Sequence, residues 1–489
     1  MIGEFIMLAP PLQRFLLFSL FLYSAPVYSQ EPSPLPFSLV ISEQLRSTFT
    51  LVGSGARAAG MGGAFTAVAD DATAASFNPA GLAQLVLPET SVVFDRIYLT
   101  DRYRDFLLFD PVEPPLPLTD SDVKFNRNDF NFFSFTLPFQ ISGRRWAAQF
   151  STQKVVDLTY RGDRQFRELD ALRNPVVDFR QKSDQSGGIR LYSGSLAISA
   201  TRRMLLGITI NRWTGDWDFV GFSSETNVEN PEEAEFLKYS QTNSLSGWNY
   251  DLGMLLQYRY ANVGLRYRSS FSADYSFKAQ AETNIPEQLK PLPDTTTKLD
   301  WPSTLNVGIA LKPSDRLTLA VDYGRTDWSK MVFDFDVPDD PIVKVNFFDL
   351  RAQAVTLVRT AQDWRIGAEY LFFLRTAILP VRAGWFYEPQ PGIDVGNGKR
   401  FVSRGVTAGA GIKIGWLAVD FAYQRKTSTT PITLFEPDDA VIGDPLNPSK
   451  GSLQRSENRV FASLIVQLPK NTFLDRLIPD IFVGSSTSN

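Results

Sequence analysis

Segments of period-2 alternation recur from about residue 89 to residue 468, and the connections between them are short and long by turns. In LTLAVDYG (317–324), Leu317, Leu319, Val321 and Tyr323 fall on one face, and Thr318, Ala320, Asp322 and Gly324 on the other. LAVDFAYQ (417–424) and VGLRYR (263–268) divide in the same way, an apolar face against a small or charged one. A half-buried soluble sheet gives that division too, so the connections carry the discrimination. The alternation predicts strands near 89–108, 128–141, 145–166, 188–202, 205–227, 243–260, 262–283, 303–313, 316–335, 354–373, 378–389, 402–414, 416–430 and 455–468. Tight turns stand at 142–144, 203–204, 261, 314–315 and 415. The connections near 109–127, 167–187, 228–242, 284–302, 336–353, 390–401 and 431–454 are long, polar and rich in Pro and Asp.

That rhythm predicts an all-β fold: an antiparallel transmembrane β-barrel of about 14 strands, with short turns at the periplasmic end and long loops outside. Hydrocarbon cannot satisfy a free strand edge, and each unpaired backbone group there costs on the order of several kcal/mol, so the sheet must close. A soluble propeller would show a repeated blade motif, and the sequence has none. Past the N-terminus no run approaches the ~18 apolar residues of a membrane-spanning helix. Aromatics reach 13% of the 489 residues, which suits girdles at the two membrane interfaces; Trp385, Trp416, Tyr258 and Tyr260 are placed for that role.

At the N-terminus, Arg14 precedes the apolar run FLLFSLFLYSA (15–25), and Val27 and Ser29 suit the −3 and −1 positions of a cleavage site. Residues 1–29 are expected to be a signal peptide, which directs the chain to the cell outer membrane. The sequence contains neither Cys nor His, which removes disulfides, thiol nucleophiles, imidazole bases and thiolate or imidazole metal sites. The net charge of −4 gives no electrostatic reason to expect nucleic acid. No cofactor, metal or catalytic residue is expected.

The stretch GSGARAAGMGGAFTAVADDATAASFNPAGLA (53–83) opens like a phosphate-binding loop, but no Lys-Ser or Lys-Thr follows it and it leads into barrel strands. Glycine permits unusual dihedrals and close backbone approach, as a segment threaded inside a barrel requires. Asp70 and Asp71 are expected to cap backbone groups or to pair with arginine.

From Gly55 to Leu82 this stretch resembles the N-terminal signature of the FadL/TodX family of outer-membrane transporters of long-chain fatty acids and other hydrophobic compounds. Asp70-Asp71 and Asn78-Pro79-Ala80 stand where that signature has an acidic pair and Asn-Pro-Ala. GLRYRSSFSADYSFKA (264–279), WPSTLNVGIALKPSDRLTLAVDYGRTDWSK (301–330) and LPVRAGWFYEPQP (379–391) are similar to strands of the same family. The resemblance implies a monomer in contact with membrane lipid and lipopolysaccharide. Its barrel, 89–468, would be plugged by an N-terminal hatch, 30–88, whose Arg57, Asp70, Asp71, Asn78, Pro79 and Ala80 would take part in gating. Outer loops would capture a hydrophobic ligand, pass it to the lumen and release it sideways through the wall as the hatch rearranges.

The capture groove then falls near 228–242 and 284–302. In NPEEAEFLKY (230–239), Asn230 is placed to cap a short helix with Pro231 at its first position, presenting Phe236, Leu237 and Tyr239. Arg266, Arg268 and Arg382 face inward and are the candidate lumen contacts for a ligand carboxylate. Lys312, Asp322, Lys413 and Asp420 are expected to face inward with them. The tail 469–489 after the last strand departs from the family pattern, in which the last strand ends the chain. A similar signature occurs in PorV-type barrels that partner a protein-secretion system, which is the alternative function.

Overall fold

The computed structural model describes residues 53–105, 107–108, 116–117, 119–170, 172–284, 294–335, 343–346, 358–393, 400–434 and 449–468. The expected signal peptide, the first part of the hatch (30–52) and the tail 469–489 lie outside them.

Fourteen antiparallel strands form the wall: β1 Glu89–Arg104, β2 Ser121–Ile141, β3 Arg144–Asp157 continued by Tyr160–Leu169, β4 Pro175–Ser199, β5 Met204–Asn227, β6 Glu235–Gln257 and β7 Ala261–Arg268 continued by Phe271–Thr283. There follow β8 Thr295–Trp301 continued by Thr304–Ser314, β9 Leu317–Asp327 continued by Val332–Phe335, and β10, made of Val343–Asn346 and Thr360–Phe373. The last are β11 Ile378–Ile393, β12 Arg400–Ile414, β13 Leu417–Leu434 and β14 Ser449–Gln467. Each pairs with its neighbours, and β14 returns to β1 in a register running from Glu89↔Gln467 to Arg104↔Ser452. The sheet is closed.

The wall is apolar outside. On β9, Leu319 and Val321 are 41% exposed, whereas Ala320 and Asp322 are nearly fully buried. On β5, Leu206, Ile208 and Ile210 are exposed while Thr209 and Asn211 face inward and are buried. A soluble sheet sorts its residues the other way, so this surface is built to face hydrocarbon. Tyr258, Tyr260, Trp385 and Trp416 are all exposed, as the girdle reading expects.

Several strands run past their predicted ends. β2 begins at Ser121 and β4 at Pro175, because residues read as polar loop pair with neighbours above the membrane: Arg180 with Asp163 (2.8 Å), and Arg104 with Asp122 (2.5 Å). The predicted helix in 230–239 does not form. A single 3₁₀ turn covers Pro231–Glu233, and Asn230 makes no side-chain cap. Leu237 and Tyr239 are instead in ladder with β5 and β7 on both sides, and an isolated helical turn cannot compete with two rows of backbone hydrogen bonds.

The N-terminal segment lies inside this wall. Helix α1 (Ala56–Gly60) and two 3₁₀ turns (Ala74–Ser76, Pro79–Gln84) place Ala56, Met61, Ala64, Phe65, Val68 and Ala69 out of solvent. It fits because the wall lacks side chains where it passes. A Cβ on Gly253 would stand 2.2 Å from Asn78 Oδ1, on Gly264 2.3 Å from Thr66 O, on Gly367 2.3 Å from Met61 O, and on Gly384 2.2 Å from Gly62 N. Isolated glycines in these strands therefore mark where a second backbone presses against the wall.

Substituting Gly264→Leu should drive the segment out of place while the barrel still closes. Planar-bilayer recording should then show a persistent pore absent from the wild type, in protein that keeps its heat-modifiable mobility. Gly194→Leu, on the outer face with open space around it, should leave conductance unchanged. Equal conductance of the Gly264→Leu variant and the wild type would contradict the fit.

Candidate plug and ligand path

Arg57, on α1, is the hub between segment and wall. Its Nη1 donates to Asp70 Oδ1 at 2.6 Å and to Asp71 Oδ2 at 3.4 Å. Its Nε and Nη2 take both oxygens of Glu369 on β10, at 2.9 and 2.8 Å. Glu369 also accepts from Arg382 Nε of β11 at 2.6 Å, and Arg382 Nη1 reaches Asp420 of β13 at 2.6 Å. A planar guanidinium is suited to such two-pronged pairing. Burial pushes the Asp71 carboxyl up, opposed by Arg57 and by hydrogen bonds from Thr73. Burial pulls Arg57 down, but Asp70 and Glu369 outweigh it and the guanidinium ends well above its ordinary value. It is held charged.

Asn78 ties the other side. Its Oδ1 accepts from the Ala80 N–H at 3.1 Å, which caps the turn begun by Pro79. Its Nδ2 donates to Thr66 O at 2.9 Å and to Met254 O of β6 at 3.0 Å. Pro79 and Ala80 lie against Gly207 of β5. Asp322 of β9 accepts from the N–H groups of Phe65 and Thr66, each at 2.8 Å. Ser134 of β2 and Gln149 of β3 both donate to Ala72 O. The structure thus places Arg57, Asp70, Asp71, Asn78, Pro79 and Ala80 in one segment inside the wall. Sequence reasoning missed Glu369, Ser134 and Gln149; their inward parity was readable, but not which of many inward polar groups meets the plug.

The candidate carboxylate ligands are already engaged. Arg266 and Arg268 both donate to the buried Asp251, at 2.6 Å and at 2.8 and 3.0 Å. Arg382 holds Glu369 and Asp420, as above. The candidate capture residues sit in the upper wall: Tyr239 is buried and faces inward 6.3 Å from Phe219, and Phe236 stacks on Phe222 at 6.1 Å.

On the long-loop side of the plug two small lumen spaces adjoin, of about 60 and 100 Å³. They share Gly53, Gly63, Arg365 and Glu388, and their walls are largely polar. Arg365 pairs with Glu388 at 2.5 Å, and Lys426 pairs with the other oxygen at 3.1 Å. Beyond them an apolar patch lines one side of the lumen. Trp213 of β5 lies 4.9 Å from Trp301 of β8, and Tyr275 of β7 lies 5.1 Å from Phe333 of β9. All four are almost wholly buried, and Arg268 stacks over Trp213 at 5.6 Å.

A closed barrel of fourteen strands, apolar outside and filled by its own N-terminal segment, is a plugged transmembrane β-barrel. Among solved structures its fold matches that of a FadL homologue from Pseudomonas aeruginosa, at 14% identity and a TM-score of 0.54, over 86% of this chain and 98% of that one. It also matches the CymD monoaromatic hydrocarbon channel, at 15% identity and a TM-score of 0.51, over 87% of this chain and all of that one. No protein-family model matches the sequence, and no curated protein is similar to it. The likeness is one of fold: the FadL-type outer-membrane barrel.

If Arg57 and Glu369 form one buried unit, removing both should cost less than the sum of the single losses. A double-mutant cycle on Arg57→Ala and Glu369→Ala, read by hydrogen exchange of the plug amides, should give a coupling of about 1–3 kcal/mol. Additive effects would show that the pair does not hold the plug.

Proposed function

We propose that the chain is an outer-membrane channel for the passive uptake of hydrophobic compounds, with long-chain fatty acids as one candidate class. The observation that carries this is the aromatic patch of Trp213, Tyr275, Trp301 and Phe333, which lies inside the lumen between the loop end and the plug. The four side chains pack on one another, so an apolar molecule would enter by parting them, gaining about 0.8 kcal/mol for each CH₂ it removes from water. The plug blocks a straight water-filled route, which disfavours a general porin.

In this account a molecule passes from the outer loops to the aromatic patch, and a shift of the plug opens the way onward. Arg57 and Asn78 are the hinges of that shift, because they carry contacts both within the plug and to the wall. The exit is lateral, at the interruption of β3 between Asp157 and Tyr160. A small recess adjoins it, with Ile97, Leu99, Phe125 and Leu158 among its walls. A ligand carboxylate would compete with Glu388 for Arg365 and Lys426, so apolar contact rather than charge dominates affinity.

Equilibrium binding of radiolabelled oleate and of toluene to the purified barrel tests this. Saturable binding of at least one is expected, and Trp213→Ala should weaken it about tenfold or more, in line with the loss of a large buried aromatic. No saturable binding of either by the intact protein would overturn the proposal and favour the secretion-partner alternative.

A further inference from the structure

Charge is spread unevenly over the two ends of the barrel. At the long-loop end both signs occur, and three connections are wholly acidic: 105–120 holds Asp105, Asp110, Glu113 and Asp120 with no basic residue, and neither 336–342 nor 435–448 holds a base among its acids. The short turns are basic. The first, after β2, leads into Arg144 and Arg145, and the second holds Arg202 and Arg203. The next three carry Arg259, Arg316 and Arg375, and all of these arginines are exposed. Asp315 is the only acid in the six short turns.

Placement separates a lipid partner from a protein one. The turns belong to successive hairpins, so the arginines are spread along the rim rather than gathered at one side of the mouth. Three of them lie over aromatic rings: Arg203 on Tyr258 at 5.8 Å, Arg259 on Tyr260 at 5.0 Å and Arg316 on Phe373 at 5.9 Å. Those rings are about half exposed and stand at the lower margin of an apolar wall that includes Leu206, Leu252, Leu311 and Leu319. An arginine whose stem covers a girdle aromatic keeps its guanidinium at the level of lipid phosphates, where planar two-pronged hydrogen bonding fits it.

We infer that the short-turn rim is a binding surface for anionic phospholipid headgroups of the periplasmic leaflet. Its negative surface potential would hold the barrel in register by these rim arginines. This fixes orientation and depth independently of what the lumen carries.

Native mass spectrometry of the full purified chain, incubated with phosphatidylglycerol or with phosphatidylcholine, tests it. The wild type should retain phosphatidylglycerol with at least about tenfold preference, since each interfacial arginine contributes about a fivefold factor. The preference should vanish in a variant in which Arg144, Arg145, Arg202, Arg203, Arg259, Arg316 and Arg375 are all changed to Gln. It should persist when Arg161, Arg180, Lys238 and Lys278, exposed at the loop end, are changed to Gln. Heat-modifiable mobility checks that each variant is folded. Equal retention of the two lipids by the wild type, which needs no variant, would overturn the inference. So would survival of the preference in the turn variant, its loss in the loop-end variant, or retention of soluble polyglutamate over phosphatidylglycerol.

Discussion

Hydrocarbon supplies no hydrogen-bond partner, so every strand of a membrane-embedded sheet must be paired on both sides. The β1–β14 ladder meets that demand by pairing sixteen consecutive residues of β1, from Glu89 to Arg104, with the last strand. Closure then creates a second problem, an interior that must be filled or left to water. The alternation of the strands sends Leu, Ile and Val outward and leaves Asp, Arg, Asn and Gly within. Interior polar groups need partners, and buried charges need opposite ones. The plug and the ion pairs around it are the answer to that need.

The plug is held by groups that differ in kind. Glycines of β5, β6, β7, β10 and β11 let its backbone approach, so packing is decided by absent side chains. Asp322, Ser134, Gln149 and Asn78 satisfy its backbone groups, and Arg57 and Glu369 join its charge to the wall network. The described wall strands pair with one another to close the sheet, so the plug adds contacts to the ladder without taking a place in it. The aromatic cluster lies outside this polar zone.

The closed barrel was legible because two independent periodicities agree: the step of two within strands and the alternation of connection length between them. The buried, glycine-rich plug was legible from composition and position, helped by the resemblance at Asp70-Asp71 and Asn78-Pro79-Ala80. Interruptions at Leu158, Ser269 and Trp328 were not, since the alternation continues on either side within segments read as single strands, whereas Thr295–Trp301 was read as part of a connection. The segment 230–239 misled because Asn-Pro-Glu-Glu is a genuine local helix start, overridden by pairing with distant strands. The wall glycines went unread for a similar reason: their meaning lies in the segment opposite, more than a hundred residues away in sequence.

The central claim is that uptake requires the plug to move relative to the wall. Gly60 and Gly409 approach closely, with a Cβ on Gly60 3.2 Å from Gly409 Cα, and the chain has no cysteine of its own. A Gly60→Cys/Gly409→Cys pair can therefore be oxidised without competing thiols. The account predicts that uptake of labelled ligand by vesicles holding the oxidised variant falls to background and returns on reduction. Unchanged uptake with the cross-link fully formed would contradict it.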